Sequence, residues 1–126
     1  MLRPSMRLRV LLADDHPDMM TALAQLIEPG CEIVGRIADG AAVLESVARL
    51  QPDILVVDIN MPGLDGIEIC RRTVGTFPAV HVIVLTAALD AALAQAARDA
   101  GAAAYIVKLS AADELPGALA ALRKER

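Results

Sequence analysis

The sequence predicts an α/β fold, in which one doubly wound, five-stranded parallel sheet carries helices on both faces. Two observations favour this fold. Short apolar runs alternate along the 126 residues with segments of helical periodicity, which is typical of successive βαβ units. The run 54–57 has no polar residue, which indicates a strand buried on both faces, as in the middle of a parallel sheet. Right-handed crossovers then connect the strands.

The first half of the chain predicts two βα units. Residues 8–13 form the first strand, and Pro17 suits the first turn of a helix that ends near Glu28, before Pro29 and Gly30. Residues 33–37 form the second strand, and Asp39 with Gly40 forms a turn. A second helix over 41–50 follows from apolar residues at helical spacing: Val43, Leu44, Val47 and Leu50.

The second half of the chain predicts three further units by the same signals. The predicted strands are 54–57, 80–85 and 103–107, and the predicted helices are 64–76, 89–100 and 113–124. Pro78 ends one of these helices and Gly101 ends the next. We therefore expect a single domain over residues 1–126, with its core at about 7–124.

Composition narrows the classes of function. Apolar residues make up 56% of the chain, with one Phe, one Tyr and no Trp, so the core must be aliphatic. The net charge of −4 without a basic stripe argues against nucleic acid or an anionic membrane as a direct partner. No run is long enough to span a bilayer, and the basic start lacks a signal-peptide core. Cys31 and Cys70 fit reduced packing residues in a cytoplasmic protein better than a disulfide.

Polar residues stand where four of the predicted strands end or have just ended. Because the carboxyl ends of parallel strands meet at one edge of the sheet, these residues are expected to converge there. Three carboxylates in one crevice repel one another and need a cation or a shared proton. Oxygen ligands of this kind suit Mg²⁺, which readily adds a phosphate oxygen. The residues are Asp14, Asp15, Asp58, Thr86 and Lys108.

Four motifs in this order resemble a known family. They are LLADDHPDM at 11–19, DILVVDINMPGLDG at 53–66, VIVLTA at 82–87 and AGAAAYIVK at 100–108. Together they are similar to the receiver domain of two-component response regulators, the CheY-like fold, and within it to the NarL/FixJ type. The resemblance extends from Arg7 over essentially the whole chain. It implies the strand order 2-1-3-4-5, which places Asp15 beside Asp58.

The resemblance also implies roles for the strand-end residues. Asp58 resembles the phosphoacceptor, which would attack the phosphohistidine of a sensor histidine kinase and form an acyl phosphate. Mg²⁺ would be held by Asp15, by Asp58 and by the backbone carbonyl of Asn60, with Asp14 acting through water. Lys108 would pair with the phosphoryl oxygens. The implied protein is a signalling domain that assists its own phosphorylation and dephosphorylation, not an enzyme acting on other substrates.

Phosphorylation of Asp58 is predicted to drive a two-state switch built from Thr86 and Tyr105. The phosphoryl group adds about −1.5 to −2 charges, so the Thr86 hydroxyl should move toward it. Tyr105 should then turn into the vacated space and carry the change to the fourth helix, fifth strand and fifth helix. The alternative is that Tyr105 is an amphipathic strand residue with its hydroxyl in water.

Each residue also has a plain structural interpretation. Taken alone, Asp14 would be a cap or turn residue, Thr86 a packed strand residue and Lys108 a solvated surface residue. His16 follows two aspartates as a metal ligand might, but beside Pro17 it is interpreted as a loop or helix-start residue. At the level of function, the main alternative is a degenerate receiver that binds partners without phosphorylation. A flavodoxin-like cofactor carrier and a metal-dependent hydrolase fit less well, because the phosphate loop and the general base that they need are missing.

Two departures from the family pattern bear on partners. Leu109 follows the lysine where many receivers have proline, and the fourth helix is mostly alanine. We therefore expect a shallow surface there and only weak self-association through it. NarL-type relatives usually continue into a helix-turn-helix output domain, and a longer protein with such a domain is one expectation for this chain.

Overall fold

In the computed structural model, which describes residues 7–123, five parallel strands form one sheet in the order β2-β1-β3-β4-β5. This is the predicted fold and strand order. The strands are β1 (Leu8–Ala13), β2 (Cys31–Ile37), β3 (Ile54–Asp58), β4 (His81–Thr86) and β5 (Ala104–Val107). The helices are α1 (Pro17–Ile27), α2 (Gly40–Leu50), α3 (Gly66–Thr76), α4 (Ala91–Asp99) and α5 (Ala111–Arg123).

Two helices begin two residues later than predicted, and the reason is the same in both. α3 begins at Gly66 because Asp65 is its N-cap, with the carboxylate accepting from the Glu68 amide. α4 begins at Ala91 because Asp90 accepts from two amides of the first turn. The apolar residue preceding each aspartate suggested an earlier start, but Leu89 is 84% exposed and lies outside α4. Capping chemistry sets these boundaries.

Strand and helix ends differ from the prediction at other places as well. β2 begins at Cys31, which pairs with Leu8, two residues before the predicted start. A short 3₁₀ turn over Lys108–Ser110, which was not predicted, separates β5 from α5. α5 therefore begins at Ala111, and its predicted end at Lys124 lies outside the described residues.

The core consists of two apolar layers, one on each face of the sheet. Alternate residues of the strands point to opposite faces, so β1 sends Val10 and Leu12 into one layer and Leu11 and Ala13 into the other. The first layer is closed by α1 and α5, and the second by α2, α3 and α4. The four apolar residues of the run 54–57 are buried, as predicted, and the observed strand also includes the buried Asp58.

One close approach positions the strand end that carries Asp58. A Cβ at Gly66 would collide with the carbonyl oxygen of Asp58 and lie within 2.7 Å of the Ile59 Cα. A side chain at this position would push α3 away from the end of β3. Glycine therefore allows the N-terminus of α3 to pack directly against the backbone of the candidate site.

Three smaller expectations can be compared with residues 7–123. No helix there has the length and apolar character needed to cross a bilayer. Cys31 and Cys70 are free and buried, in agreement with packing roles. Burial raises the pKa of both thiols, that of Cys70 to about 11, so neither is an activated thiolate at neutral pH.

Candidate functional site

The sheet register brings the predicted site residues to one edge. β1 and β3 are neighbours, with Ala13 beside Val57, so the residues that follow them, Asp14 and Asp58, leave the sheet side by side. On the other side of β3, Thr86 of β4 pairs with Val107 of β5, directly before Lys108. Residues far apart in sequence therefore surround the end of β3 at its carboxyl edge.

Two buried carboxylates share one ammonium group at this edge. The Asp14 and Asp58 side chains are 1% and 2% exposed, and the Lys108 Nζ lies 3.0 Å from Asp14 Oδ2 and 3.1 Å from Asp58 Oδ2. Burial of Lys108 lowers its pKa, but hydrogen bonds and charge from the two carboxylates together outweigh burial and raise it above the ordinary value. Lys108 therefore stays a cation at neutral pH and partly balances the two acids.

Asp58 is further held by the loop that follows β3. The backbone N–H of Asn60 donates to Asp58 Oδ1 at 3.2 Å, and the Ile59 N–H donates to the Leu85 carbonyl at 2.8 Å. Lys108 takes the other carboxylate oxygen, Oδ2. The orientation of the Asp58 side chain is thus defined by one contact to each of its oxygens.

His16 lies in the acidic pocket, which its interpretation as a loop or helix-start residue did not include. It is the N-cap residue of α1, as a helix-start residue should be, but its side chain makes no capping hydrogen bond. Its ring Nδ1 instead lies 3.0 Å from Asp14 Oδ1 and 3.1 Å from Asp15 Oδ1. The sequence signal for this placement is the position of His16 directly after two aspartates.

Four residues offer ligand atoms that lie within 4.8 Å of one another, namely Asp14, Asp15, His16 and Asp58. Three carboxylates against the single charge of Lys108 leave an excess of two negative charges if the imidazole is neutral. A divalent cation with hard oxygen ligands would balance that excess. The three carboxylates therefore fit a hard divalent cation such as Mg²⁺.

Thr86 ends β4 and Tyr105 lies in β5, and within residues 7–123 neither makes a hydrogen bond to the pocket carboxylates. The Thr86 hydroxyl donates to the Ala88 carbonyl at 3.1 Å, in the loop between β4 and α4. The Tyr105 hydroxyl is buried and has no hydrogen-bond partner within residues 7–123. The alternative that left this hydroxyl in water is therefore wrong, because the ring packs against the apolar layer under α2, α3 and α4.

Comparison with known proteins identifies the family. The profile of the response regulator receiver domain matches residues 10–120. The chain belongs to this family. The transcriptional regulatory protein LiaR of Bacillus subtilis is 34% identical over 119 residues, which are 93% of this chain and 56% of LiaR. The transcriptional regulatory protein RcsB of Escherichia coli is 32% identical over 122 residues, which are 93% of this chain and 56% of RcsB.

Solved structures agree with that assignment. The signal receiver domain of the putative response regulator NarL from Mycobacterium tuberculosis has a TM-score of 0.88 at 29% identity, covering 95% of this chain and 98% of that one. The isolated receiver domain of RcsB from Salmonella enterica with the phosphomimetic BeF₃⁻ also has a TM-score of 0.88, at 31% identity, covering 95% and 91%. The chain spans about half the length of the curated relatives that it matches.

As a receiver domain of response regulators, the chain is a signalling domain of a two-component phosphorylation system. This agrees with the predicted family and with its NarL-like type. The family does not by itself assign a role to any residue, and those roles depend on the geometry described above.

Proposed function

We propose that the domain is a phosphorylation-dependent switch in which Asp58 accepts a phosphoryl group from a histidine kinase. The observation that carries this proposal is the position of Asp58. Its carboxylate is buried at the carboxyl end of the central strand, within 3.1 Å of the Lys108 ammonium and beside two further acids. A single structural aspartate would not require this combination.

The proposed chemistry is nucleophilic attack by a carboxylate. A carboxylate oxygen of Asp58 bonds to phosphorus while the P–N bond of the donor phosphohistidine breaks, and the imidazole leaves with the electron pair. The product is an acyl phosphate. Lys108 already contacts Asp58 Oδ2, so it is placed to neutralise charge on the transferred group. Asn60 keeps Oδ1 in place through its backbone N–H.

Mg²⁺ is the proposed cofactor of this transfer, and it would neutralise phosphoryl charge when bound. Asp15, Asp58 and the backbone carbonyl of Asn60 would hold it, with Asp14 acting through water. The partial exposure of Asp15, at 34% of its side chain, leaves an approach from solvent, whereas Asp14 is buried. The main alternative, a degenerate receiver, is less consistent with a pocket that keeps every residue of this set.

We further propose that Thr86 and Tyr105 transmit the change. The Thr86 hydroxyl now contacts the Ala88 carbonyl, and a phosphoryl group on Asp58 would compete for that hydroxyl. The Tyr105 hydroxyl, which is buried and has no hydrogen-bond partner within residues 7–123, should change its position when Thr86 moves. Structures with and without a phosphoryl mimic test the coupling, and identical side-chain conformations at both residues would contradict it.

The proposed partners follow from the same function. The phosphoryl donor would be a sensor histidine kinase, and in a longer protein the output would be a helix-turn-helix domain. The free, buried cysteines suit a reducing compartment such as the cytoplasm. Self-association through the alanine-rich α4 should be weak. Neither nucleic acid nor a membrane is proposed as a direct partner of this domain.

Incubation with a small phosphodonor and Mg²⁺, followed by intact mass spectrometry, tests the function. We expect one phosphoryl group on the wild-type chain, sensitive to hydroxylamine, and none on Asp58→Asn. Asp113→Asn is the matched control, because it removes an exposed carboxylate in the first turn of α5. No incorporation into the wild-type chain would favour the degenerate receiver, and equal incorporation into Asp58→Asn would contradict the site.

A further inference from the structure

His16 is the residue of the acidic pocket that the proposed function leaves without a role. It supplies an imidazole nitrogen where the other three residues supply carboxylate oxygens. We infer that His16 is a ligand of the bound metal and shifts the preference of the pocket from Mg²⁺ toward Mn²⁺ and similar transition ions. This inference rests on the proposed metal-dependent function of the same pocket.

The distances between donor atoms fit one coordination sphere. Around a six-coordinate ion with bonds of about 2.1 Å, neighbouring ligand atoms lie about 3.0 Å apart and opposite ones about 4.2 Å apart. His16 Nδ1 lies 3.1 Å from Asp15 Oδ1, so it is spaced as a neighbour of that proposed ligand, and it lies 3.0 Å from Asp14 Oδ1, which would act through water. Its distance to Asp58 Oδ2 is 3.9 Å, between the two values.

Helix capping does not explain the position of the ring. As the N-cap of α1 it makes no side-chain capping bond. Its ring Nδ1 instead makes a hydrogen-bonding contact of 3.0 Å with Asp14 Oδ1, the oxygen that also accepts the backbone N–H of His16 at 2.8 Å. The side chain is 63% exposed and buries little apolar surface. Contacts with the pocket carboxylates, and not apolar packing, therefore hold the ring in place.

The backbone on either side restricts where the ring can lie. Pro17 occupies the first turn of α1, and a residue that precedes proline is confined to extended conformations. His16 has φ of −102° and ψ of 107°, within that region. The Asp14 side chain holds the His16 amide from the other side. The imidazole is thus directed to the pocket by its neighbours in sequence.

Nitrogen in the ligand set changes which ion is favoured. Mg²⁺ prefers oxygen and gives up its waters reluctantly, whereas imidazole suits borderline transition ions. A neutral imidazole adds no charge, so the excess of two negative charges still matches a divalent ion. His16 should therefore raise affinity for Mn²⁺ more than affinity for Mg²⁺.

The test compares two histidine variants of the full chain. Mn²⁺ affinity is measured from the EPR signal of the free ion, and Mg²⁺ affinity by competition with Mn²⁺. In His16→Gln, the ratio of Mn²⁺ to Mg²⁺ affinity should fall about tenfold. His81→Gln is the control, because His81 begins β4 at the opposite end of the sheet from the pocket. Its ratio should match that of the wild-type chain.

Pulsed EPR of Mn²⁺ bound to the wild-type chain gives a second, direct measurement. Nitrogen modulation from a coordinated imidazole should be present in the wild-type chain and in His81→Gln, and absent in His16→Gln. Bound Mn²⁺ without nitrogen modulation would overturn the inference. So would an equal loss of both ions in His16→Gln, because that result would indicate a structural role.

The wild-type chain also separates this inference from the proposed function. Nitrogen-coordinated Mn²⁺ without phosphoryl incorporation at Asp58 would leave His16 as a ligand and overturn the phosphoacceptor. Phosphoryl incorporation at Asp58 together with Mn²⁺ that shows no nitrogen modulation would support the phosphoacceptor and overturn His16 as a ligand.

Discussion

The acidic pocket lies at the carboxyl edge of the sheet and α4 covers part of one face, and the two regions are held in place very differently. In the pocket, buried carboxylates contact Lys108 and the Asn60 amide at hydrogen-bonding distances. α4 buries one of its residues, Ala97, whereas α3 buries four residues along its length. Segments with few buried contacts are the ones that open locally at low free energy. The contrast therefore separates a preformed polar pocket from a helix with few buried residues.

The link between the two regions is the loop after β4. Thr86 ends β4 within the buried core, and its hydroxyl contacts the Ala88 carbonyl in that loop. A change at Asp58 that attracts the Thr86 hydroxyl would release this contact. Few side chains of α4 are packed in the core, so little would resist a movement of this helix. The same alanine content limits the strength of any contact that another molecule makes through α4.

The largest expected loss of stability comes from a variant that removes the cation of the pocket. Lys108→Met leaves Asp14 and Asp58 buried without their shared cation, which should lower the free energy of unfolding by about 3 kcal/mol without metal. Urea unfolding followed by circular dichroism measures this loss. Because a divalent ion would replace the missing charge, saturating Mg²⁺ should restore more stability to Lys108→Met than it adds to the wild-type chain.

Arg49→Met is the control for that loss, since Arg49 is an exposed cation in the last turn of α2. Its effect should stay within about 0.5 kcal/mol. If Lys108→Met were no less stable than Arg49→Met, the buried carboxylates of the pocket would not depend on Lys108 for their charge balance.

A second variant tests the metal side of the pocket. Asp15→Asn removes the most accessible carboxylate, so Mg²⁺ affinity measured by calorimetry should fall about tenfold or more from a wild-type dissociation constant in the millimolar to submillimolar range. Asp18→Asn, an exposed acid in the first turn of α1, should bind Mg²⁺ as the wild-type chain does. Lys108 should not be required for this binding. Equal affinity in Asp15→Asn and the wild-type chain would mean that the acid pair is structural.

The smallest expected effect comes from replacing the N-cap residues of α3 and α4, which compares how strongly each helix is tied to the fold. Asp65 and Asp90 are their N-caps, and replacing either by alanine should cost about 1 kcal/mol. In Asp65→Ala the cost should appear in global unfolding by urea. In Asp90→Ala it should appear as faster hydrogen exchange confined to α4. If both variants lowered global stability equally, α4 would be a cooperative part of the fold and not a responsive one.

Local sequence patterns predicted the fold well because they reflect contacts with near neighbours. The run 54–57 predicted that β3 lies in the middle of the sheet, since a strand without polar alternation must be buried on both faces. The order of strands came from a family resemblance, and it was confirmed. Helix starts were less accurate, because Leu64 and Leu89 appeared to continue an apolar stripe while Asp65 and Asp90 capped the helices one residue later.

The site was predicted as a set of residue types, whereas its contacts became visible in the folded structure. That acids and a lysine follow strand ends can be read from the chain, but Lys108 and Asp58 are 50 residues apart and meet because β5, β4 and β3 lie in register. The position of the His16 ring between two carboxylates and the buried Tyr105 hydroxyl likewise depend on packing. Periodicity encodes which side of an element is buried, whereas distances between side chains depend on how separate elements pack together.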